Sequence, residues 1–170
     1  VEIYTMNTEG GYDKSSTTKT GTTGETANAE YTVEKGFKLS EVEKNILSGT
    51  IAADDSLVLK VYLDRIQSTF TVKVDNDVTK TPYLYGATVA APATPVKEGY
   101  TFAKWVDENG ADATVPATMP EYDVTLVADW TINKYDITWN IEGEGTYHTD
   151  KAVEYDTVIT APTPVKEGYV

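Results

Sequence analysis

The sequence predicts a β-rich α+β chain made of small tandem repeats in an elongated array. The segment PVKEGY occurs at Pro95–Tyr100 and again at Pro164–Tyr169. Several short runs alternate apolar and polar residues, which is typical of strands with one buried face. One nine-residue stretch has helical spacing, and it supplies the helical part of the predicted class.

Internal repetition divides the chain into three segments. Upstream of the two PVKEGY copies, a more diverged copy reads VEKGF at Val33–Phe37. We place the repeats at 1–67, 68–132 and 133–170, and the third is only the first half of a unit. The glycine of each pair is expected to adopt a backbone conformation closed to other residues, with the aromatic packed inward. The residues predicted to mark the repeats structurally are Gly36, Phe37, Gly99, Tyr100, Trp105, Trp130, Gly168 and Tyr169.

Two alternating runs predict the closing strands of the first and second repeats. The first is Leu57–Asp64 and the second is Val124–Trp130. Ser40–Ser48 is predicted to be a helix, because Ser40 and Glu43 have capping-box spacing and a glycine follows. Asn109-Gly110 predicts a hairpin turn, since both residues tolerate positive φ.

Composition excludes several classes of function. The 170 residues carry a net charge of −13 and include no cysteine. Nucleic acids and anionic membrane surfaces are held by clustered basic residues, so neither is an expected partner. No apolar run is long enough to insert in a membrane as a helix, and disulfides and thiolate metal sites are excluded. From its abrupt ends we expect the chain to be part of a longer protein.

The junctions between the predicted repeats contain neither Gly nor Pro and pass almost directly from strand to strand. Short links of this kind restrict motion between domains compared with Gly/Ser linkers. We therefore expect a stiff, slightly jointed rod, with neighbouring repeats of the parent chain as partners. The third repeat lacks its closing strand, so we expect 133–170 to be partly disordered alone or completed by a neighbouring molecule.

Candidate chemistry is sparse, and no catalytic, cofactor-binding or metal site is predicted. His148, the only histidine, is expected in an exposed hairpin loop. The acidic run Asp107–Asp112 has oxygen ligands suited to Ca²⁺ but not a full calcium-loop spacing, so an acidic turn is favoured. Trp105 and Trp130 are expected to anchor the core, with a sugar-stacking platform as the alternative. A Lys–Asn isopeptide bond is a further alternative that intact mass would test. The exposed tyrosines considered for ligand contact are Tyr83, Tyr85 and Tyr147.

The second repeat resembles the Listeria-Bacteroides (internalin-type B) repeat family. The family pattern EGY-x-F-x-x-W is present from Glu98 to Trp105, and MP-x-x-D-V-T-L-x-A-x-W from Met119 to Trp130. The first repeat has neither tryptophan and is more similar to MucBP-like repeats. These resemblances imply β-grasp-like domains, in arrays anchored to a cell wall by parts of the parent protein that lie outside this chain.

Three functions remain open from the sequence. The first is a non-catalytic stalk or adhesion segment of a secreted, Gram-positive cell-surface protein, located extracellularly. The second is a module that binds mucin, host or microbial surface glycans, or a host protein. The third is an accessory region of a larger secreted enzyme.

Overall fold

The protein is all-β in this computed structural model, which describes residues 1–41 and 43–165. Contacts divide the chain into two compact units, Val1–Pro92 with Thr114–Leu126, and Ala93–Ala113 with Val127–Val170. The described residues form twelve strands and no helix, so the α+β part of the prediction is wrong. No helix among them could cross a membrane.

The first four-stranded sheet has the strand order β2-β1-β6-β4. Strands β1 and β2 form an antiparallel hairpin, β1 runs parallel to β6, and β4 runs antiparallel to β6. A separate two-stranded sheet pairs β3 with β5. The strands of this part of the chain are β1 (Glu2–Met6), β2 (Tyr12–Ser16), β3 (Thr26–Asn28), β4 (Phe37–Leu39), β5 (Ser48–Thr50) and β6 (Lys60–Arg65).

The second four-stranded sheet has the order β8-β7-β10-β9, which repeats the first strand for strand. In both sheets the first strand of a hairpin lies beside the closing strand, and the second strand of that hairpin forms one edge of the sheet. The strand that follows Gly36 or Gly99 forms the other edge. A final hairpin pairs β11 with β12. The strands are β7 (Gln67–Val74), β8 (Asp77–Leu84), β9 (Tyr100–Val106), β10 (Val124–Ile132), β11 (Lys134–Ile141) and β12 (Gly145–Glu154).

Alternation on the closing strands correctly predicted their buried faces. Leu59, directly before β6, and Val61 and Leu63 on β6 are buried, and Val61 is fully inaccessible. On β10, Leu126 is fully inaccessible and Ala128 is buried two residues later. A period of two places these side chains on one face of each sheet. Strand β6 begins at Lys60, however, whereas the predicted closing strand begins at Leu57.

The predicted helix at Ser40–Ser48 is absent; Val42 lies outside the described residues. The backbone instead follows β6: Ser40 N donates to Tyr62 O at 2.8 Å, and Ile46 and Lys60 exchange two hydrogen bonds. Between these points, the Asn45 side chain accepts from Tyr62 N and donates to Ser40 O. A nine-residue helix is marginal by itself, so pairing with a strand edge prevails over the capping signal. The Ser40 hydroxyl donates to Asp64 Oδ2 at 2.7 Å.

The turn predicted at Asn109-Gly110 is confirmed. Asp107 N donates to Ala111 O at 2.8 Å, and Gly110 has a φ of 82°. Asp107 Oδ1 accepts from the backbone N–H groups of Asn109 and Ala111, an Asx-type arrangement. Asn7 makes the same set of bonds to Glu9 and Gly11 in the β1–β2 hairpin.

Candidate functional site: the joints between repeats

The most distinctive sites are the two places where one sheet passes into the next strand pair through a single residue. Ile66 alone separates β6 from β7, and Asn133 alone separates β10 from β11. We name the first site joint 1 and the second joint 2. Joint 1 consists of Gly36, Phe37, Arg65, Ile66 and Tyr85. Joint 2 consists of Gly99, Tyr100, Asn133 and Tyr155.

In joint 1 the linking residue is clamped on both sides by backbone hydrogen bonds. Ile66 N donates to Gly36 O at 2.9 Å, and Tyr85 N donates to Ile66 O at 2.8 Å. The Tyr85 ring packs against buried Gly36 and meets Phe37 edge-on, with centroids 6.2 Å apart. The linker therefore has neither polar backbone group free to rotate in solvent.

Joint 2 reproduces this arrangement with different side chains. Asn133 N donates to Gly99 O at 2.9 Å, and Tyr155 N donates to Asn133 O at 2.9 Å. The Tyr155 ring packs against buried Gly99 and meets Tyr100 at an interplanar angle of 67° and a centroid distance of 6.3 Å. Gly36 and Gly99 have φ values of 81° and 75°, in the left-handed region that glycine adopts without steric cost.

Each joint is reinforced in its own way. In joint 1, Arg65 Nε donates to Met6 O at 2.8 Å and Nη1 donates to Tyr85 O at 2.7 Å. Its guanidinium also lies 4.8 Å from the centre of the Phe37 ring, a cation–π distance. In joint 2, the Thr101 hydroxyl donates to Asn133 Oδ1 at 2.7 Å. The nearby negative charge of Glu98 is the main cause that raises the pKa of Tyr155.

The tryptophans of the second repeat share one aromatic cluster. Phe102 lies 5.0 Å from Trp105 and 5.9 Å from Trp130 between ring centroids, and both tryptophans are half-buried. The fully buried side chains nearby in sequence are aliphatic, such as Met119 and Leu126. The three rings therefore form a half-buried cluster of their own, and Trp130 Nε1 is buried without a hydrogen-bond partner among the described atoms.

Comparison with known proteins assigns two stretches of the chain to one family. The sequence profile of the Listeria-Bacteroides repeat domain matches residues 68–129 and 135–170. The chain belongs to the Listeria-Bacteroides repeat family. The two matches agree with the duplicated PVKEGY segment, and the first of them contains the whole β8-β7-β10-β9 sheet except the end of β10 and the first residue of β7.

Relatives of this Listeria-Bacteroides repeat chain are much longer proteins. Internalin H of Listeria monocytogenes is 38% identical over 106 residues, which cover 59% of this chain and 19% of that protein. A protein of Evansella cellulosilytica titled "Putative membrane protein" is 31% identical over 124 residues, which cover 71% of this chain and 18% of the relative. The chain therefore spans less than a fifth of either relative.

Two other residues of the Listeria-Bacteroides pattern have definite structural places that sequence reasoning did not assign. Met119 is 1% exposed; its N–H donates to Ala87 O, and its carbonyl accepts from Gly86 N, both at 2.8 Å. Asp123 Oδ1 accepts from Thr69 N at 2.7 Å, so it satisfies a backbone donor of β7. The recurrence of Met and Asp in the quoted pattern was the available signal.

The remaining predicted residues fall at separate places. Tyr83 and Tyr85 are both half-buried, so the expectation that they are exposed is wrong for both, whereas Tyr147 is exposed and donates to Thr163 O. His148 lies within β12 rather than in a loop, 2.9 Å from Asp150 Oδ1. Gly168 and Tyr169 lie outside the described residues.

The acidic run Asp107–Asp112, for which the sequence favours a turn over a calcium site, does contain a turn held by an acidic side chain. Asp107 accepts two backbone bonds, which are the main cause that lowers its pKa, and Asp112 pairs with Lys104 at 2.5 Å. Within residues 1–41 and 43–165, no three His, Cys, Asp or Glu side chains are grouped to hold a metal ion.

Proposed function

We propose that the chain is a non-catalytic spacer segment of a bacterial surface protein, with repeats at 1–67, 68–132 and 133–170. The names of the relatives, an internalin and a membrane protein, support a surface location. The net charge of −13 suits a chain that must remain extended and unassociated in a crowded surface layer. Export and attachment to the cell wall through other parts of the parent are included in the proposal.

The observation that carries this proposal is the recurrence of one clamped joint at two places. Each linker is a single residue whose N–H and C=O are both bonded, to Gly36 O and Tyr85 N in the first case. A flexible linker would leave these groups to water and let the flanking sheets reorient. A spacer requires that the flanking sheets keep one orientation, because it must hold one end of the chain at a fixed distance from the other.

Strand order supports β-grasp-like repeats without a helix. Each sheet places the first strand of its hairpin beside the closing strand, and in the first sheet β1 and β6 are parallel from Glu2–Lys60 to Thr5–Leu63. A central parallel pair flanked by antiparallel strands is the arrangement we propose as the common repeat unit.

Distance measurements across joint 2 test the spacer. The chain has no cysteine, so spin labels can be attached to Ala103→Cys and Thr146→Cys, two exposed positions on β9 and β12. We expect one narrow distance distribution by double electron–electron resonance. A control with Gly-Ser-Gly-Ser inserted after Asn133 should give a broad one. An equally broad distribution in the uninterrupted chain would refute the spacer.

A tyrosine cluster favours ligand binding as a second candidate. Tyr4 and Tyr62 stack with centroids 4.3 Å apart and planes 6° apart, and Tyr12 meets Tyr62 edge-on at 5.2 Å. Tyr62 alternates with buried Val61 and Leu63, so the cluster lies on the face opposite the core. Half-buried rings with hydroxyl groups suit surface glycans or a host protein.

Binding screens distinguish this candidate from the spacer. Glycan-array and mucin pull-down signals that vanish in Tyr62→Ala but persist in Tyr135→Ala would support a binding module. Its MucBP-like character remains a prediction. Silence in both screens would leave the spacer, and the remaining parent sequence would show whether the repeats accompany an enzyme.

A further inference from the structure

We infer that Gly36 and Gly99 are each a docking socket for a tyrosine of the following repeat, and that this contact couples the folding of the two repeats. The inference deepens the proposed spacer function, because coupled joints are what a spacer needs. The two proposals can nevertheless fail separately, because the inference concerns the coupled stability of neighbouring repeats and the spacer concerns their fixed distance.

The ring occupies the space in which a side chain would otherwise stand. A Cβ built on Gly36 would lie 2.1 Å from Tyr85 Cδ1, and a Cβ on Gly99 would lie 2.0 Å from Tyr155 Cδ1. Carbon atoms in contact are normally 3.5–4.0 Å apart, so any other residue would displace the ring. Glycine is therefore needed for close approach as well as for its positive φ.

Other glycines separate these two requirements. Gly110 and Gly143 have φ values of 82° and 79°, similar to those of the joint glycines. A Cβ at either position would meet nothing within 4 Å. Positive φ is thus a common property of turns in this chain, whereas contact with a tyrosine ring distinguishes Gly36 and Gly99.

The docking tyrosine holds one fixed position in its repeat. Tyr85 and Tyr155 each follow the second strand of a hairpin directly, and the N–H of each donates to the carbonyl of the linker. In the first repeat, Thr17 holds this position, since its N–H donates to Val1 O at 2.9 Å. The first repeat therefore has a socket but no aromatic residue to dock, and it is suited to precede a repeat of this kind rather than to follow one.

The last hairpin shows why the contact matters for folding. From Asn133 to Val165, the described part of the third repeat, no residue is buried. Tyr135 is 51% exposed. When Tyr155 is aligned with Tyr85, Ile159 corresponds to buried Val89, and Ile159 is 53% exposed. A two-stranded hairpin without a core is marginally stable in water, so its order depends on the socket at Gly99.

Hydrogen exchange on the full chain tests the inference with matched glycine variants. In Gly99→Ala the ring is displaced, and protection of the amides in β11 and β12 should fall by about 10- to 100-fold, the combined effect of a strained rotamer and a lost aromatic contact. Gly110→Ala, which adds a Cβ at a similar φ in open space, should leave that protection unchanged. Tyr155→Ala should reproduce the loss without altering the glycine.

The double variant decides between docking and general damage. If the glycine serves the ring, Gly99→Ala adds little to the loss of hairpin protection already caused by Tyr155→Ala. Additive losses would overturn the inference. Unchanged hairpin protection in Tyr155→Ala would overturn it even if Gly99→Ala failed to fold. The spin-label experiment depends on stiffness at Asn133, so a broad distribution with intact coupling would remove only the spacer.

Discussion

Arg65 offers the sharpest test of how joint 1 is held together. It is the only arginine in the chain and ends β6, where it bridges Met6 O and Tyr85 O at 2.8 and 2.7 Å. The same guanidinium stacks on Phe37. Because one planar group makes three contacts in fixed directions, lysine cannot replace it even though the charge is kept.

The expected loss of stability follows from these contacts. A hydrogen bond to a charged group contributes about 1.5–3 kcal/mol, and an exposed cation–π contact about 0.5–1 kcal/mol. Arg65 is half-buried, so the lower ends of these ranges apply. Arg65→Ala should lower the free energy of unfolding by about 2–4 kcal/mol. Arg65→Lys keeps at most one hydrogen bond and should lose about 1–2 kcal/mol.

These losses can be measured by urea unfolding, followed through the NMR amide signals of β7 and β8, the two strands that follow joint 1. Lys38→Ala is the matched control, because Lys38 is an exposed cation on the neighbouring strand β4. It should change stability by less than about 0.5 kcal/mol. If Arg65→Lys were as neutral as this control, the guanidinium bridge would not hold the joint, and the reasoning would be refuted.

Substitutions at three further residues test the part of the chain around the second sheet. Met119→Ala should cost about 2–5 kcal/mol in urea unfolding, because a fully buried side chain leaves a cavity; a loss below about 1 kcal/mol would contradict this. Asp123→Ala should lose about 1 kcal/mol while Asp123→Asn retains most of it, since only the acceptor for Thr69 N matters. Asp107 has a lowered pKa in the folded protein, so its stabilisation is present at neutral pH and is lost as pH falls below about 4 through that lowered value. In Asp107→Asn the turn should persist, because Asn7 forms the same turn in the first hairpin. If thermal stability still fell at acid pH as much as in the parent chain, the Asp107 carboxylate would not be the cause of that fall.

Patterns that depend on neighbouring residues were read correctly from the sequence. The alternation of Leu59, Val61 and Leu63 marks a strand with one buried face, whatever the strand pairs with. Asn109-Gly110 marks a turn because its conformational preference is local. The identical PVKEGY segments indicate repetition without any knowledge of the fold, and the family match at 68–129 and 135–170 agrees with it.

The helix prediction failed because a local signal competed with a distant partner. Ser40 and Glu43 have the spacing of a capping box, but the edge of β6 lies about twenty residues further along the chain. Pairing of Ile46 with Lys60 and the double role of the Asn45 side chain satisfy the backbone without a helix. The spacing of Ser40 and Glu43 indicates only that a helix is possible there. Whether the segment forms a helix or pairs with a strand depends on which strand edge is unpaired, and that is not visible locally.

The joints could be anticipated only in part. Glycine at positions 36 and 99 suggested positive φ, yet nothing local shows that a tyrosine 49 residues later would lie on Gly36. The signal was a tyrosine at the start of both YGATV and YDTV, ahead of each PVKEGY copy. From the sequence, only Tyr85 of this pair is given a role, as an exposed contact residue, because a lone aromatic in a loop gives no indication of its partner.

Small repeats make such contacts important for stability. A unit of about 65 residues buries little apolar area, and the first sheet relies on a short row of aliphatic side chains along β6. In arrays of small repeats, stability is a sum of unit and interface terms, so a contact between neighbouring repeats contributes a substantial share. A tyrosine resting on bare glycine backbone supplies this interface with one residue on each side. Because Thr17 replaces the tyrosine in the first repeat, the coupling has a direction: each socket stabilises the repeat that follows it, and loss of a socket should affect the downstream hairpin before the upstream sheet.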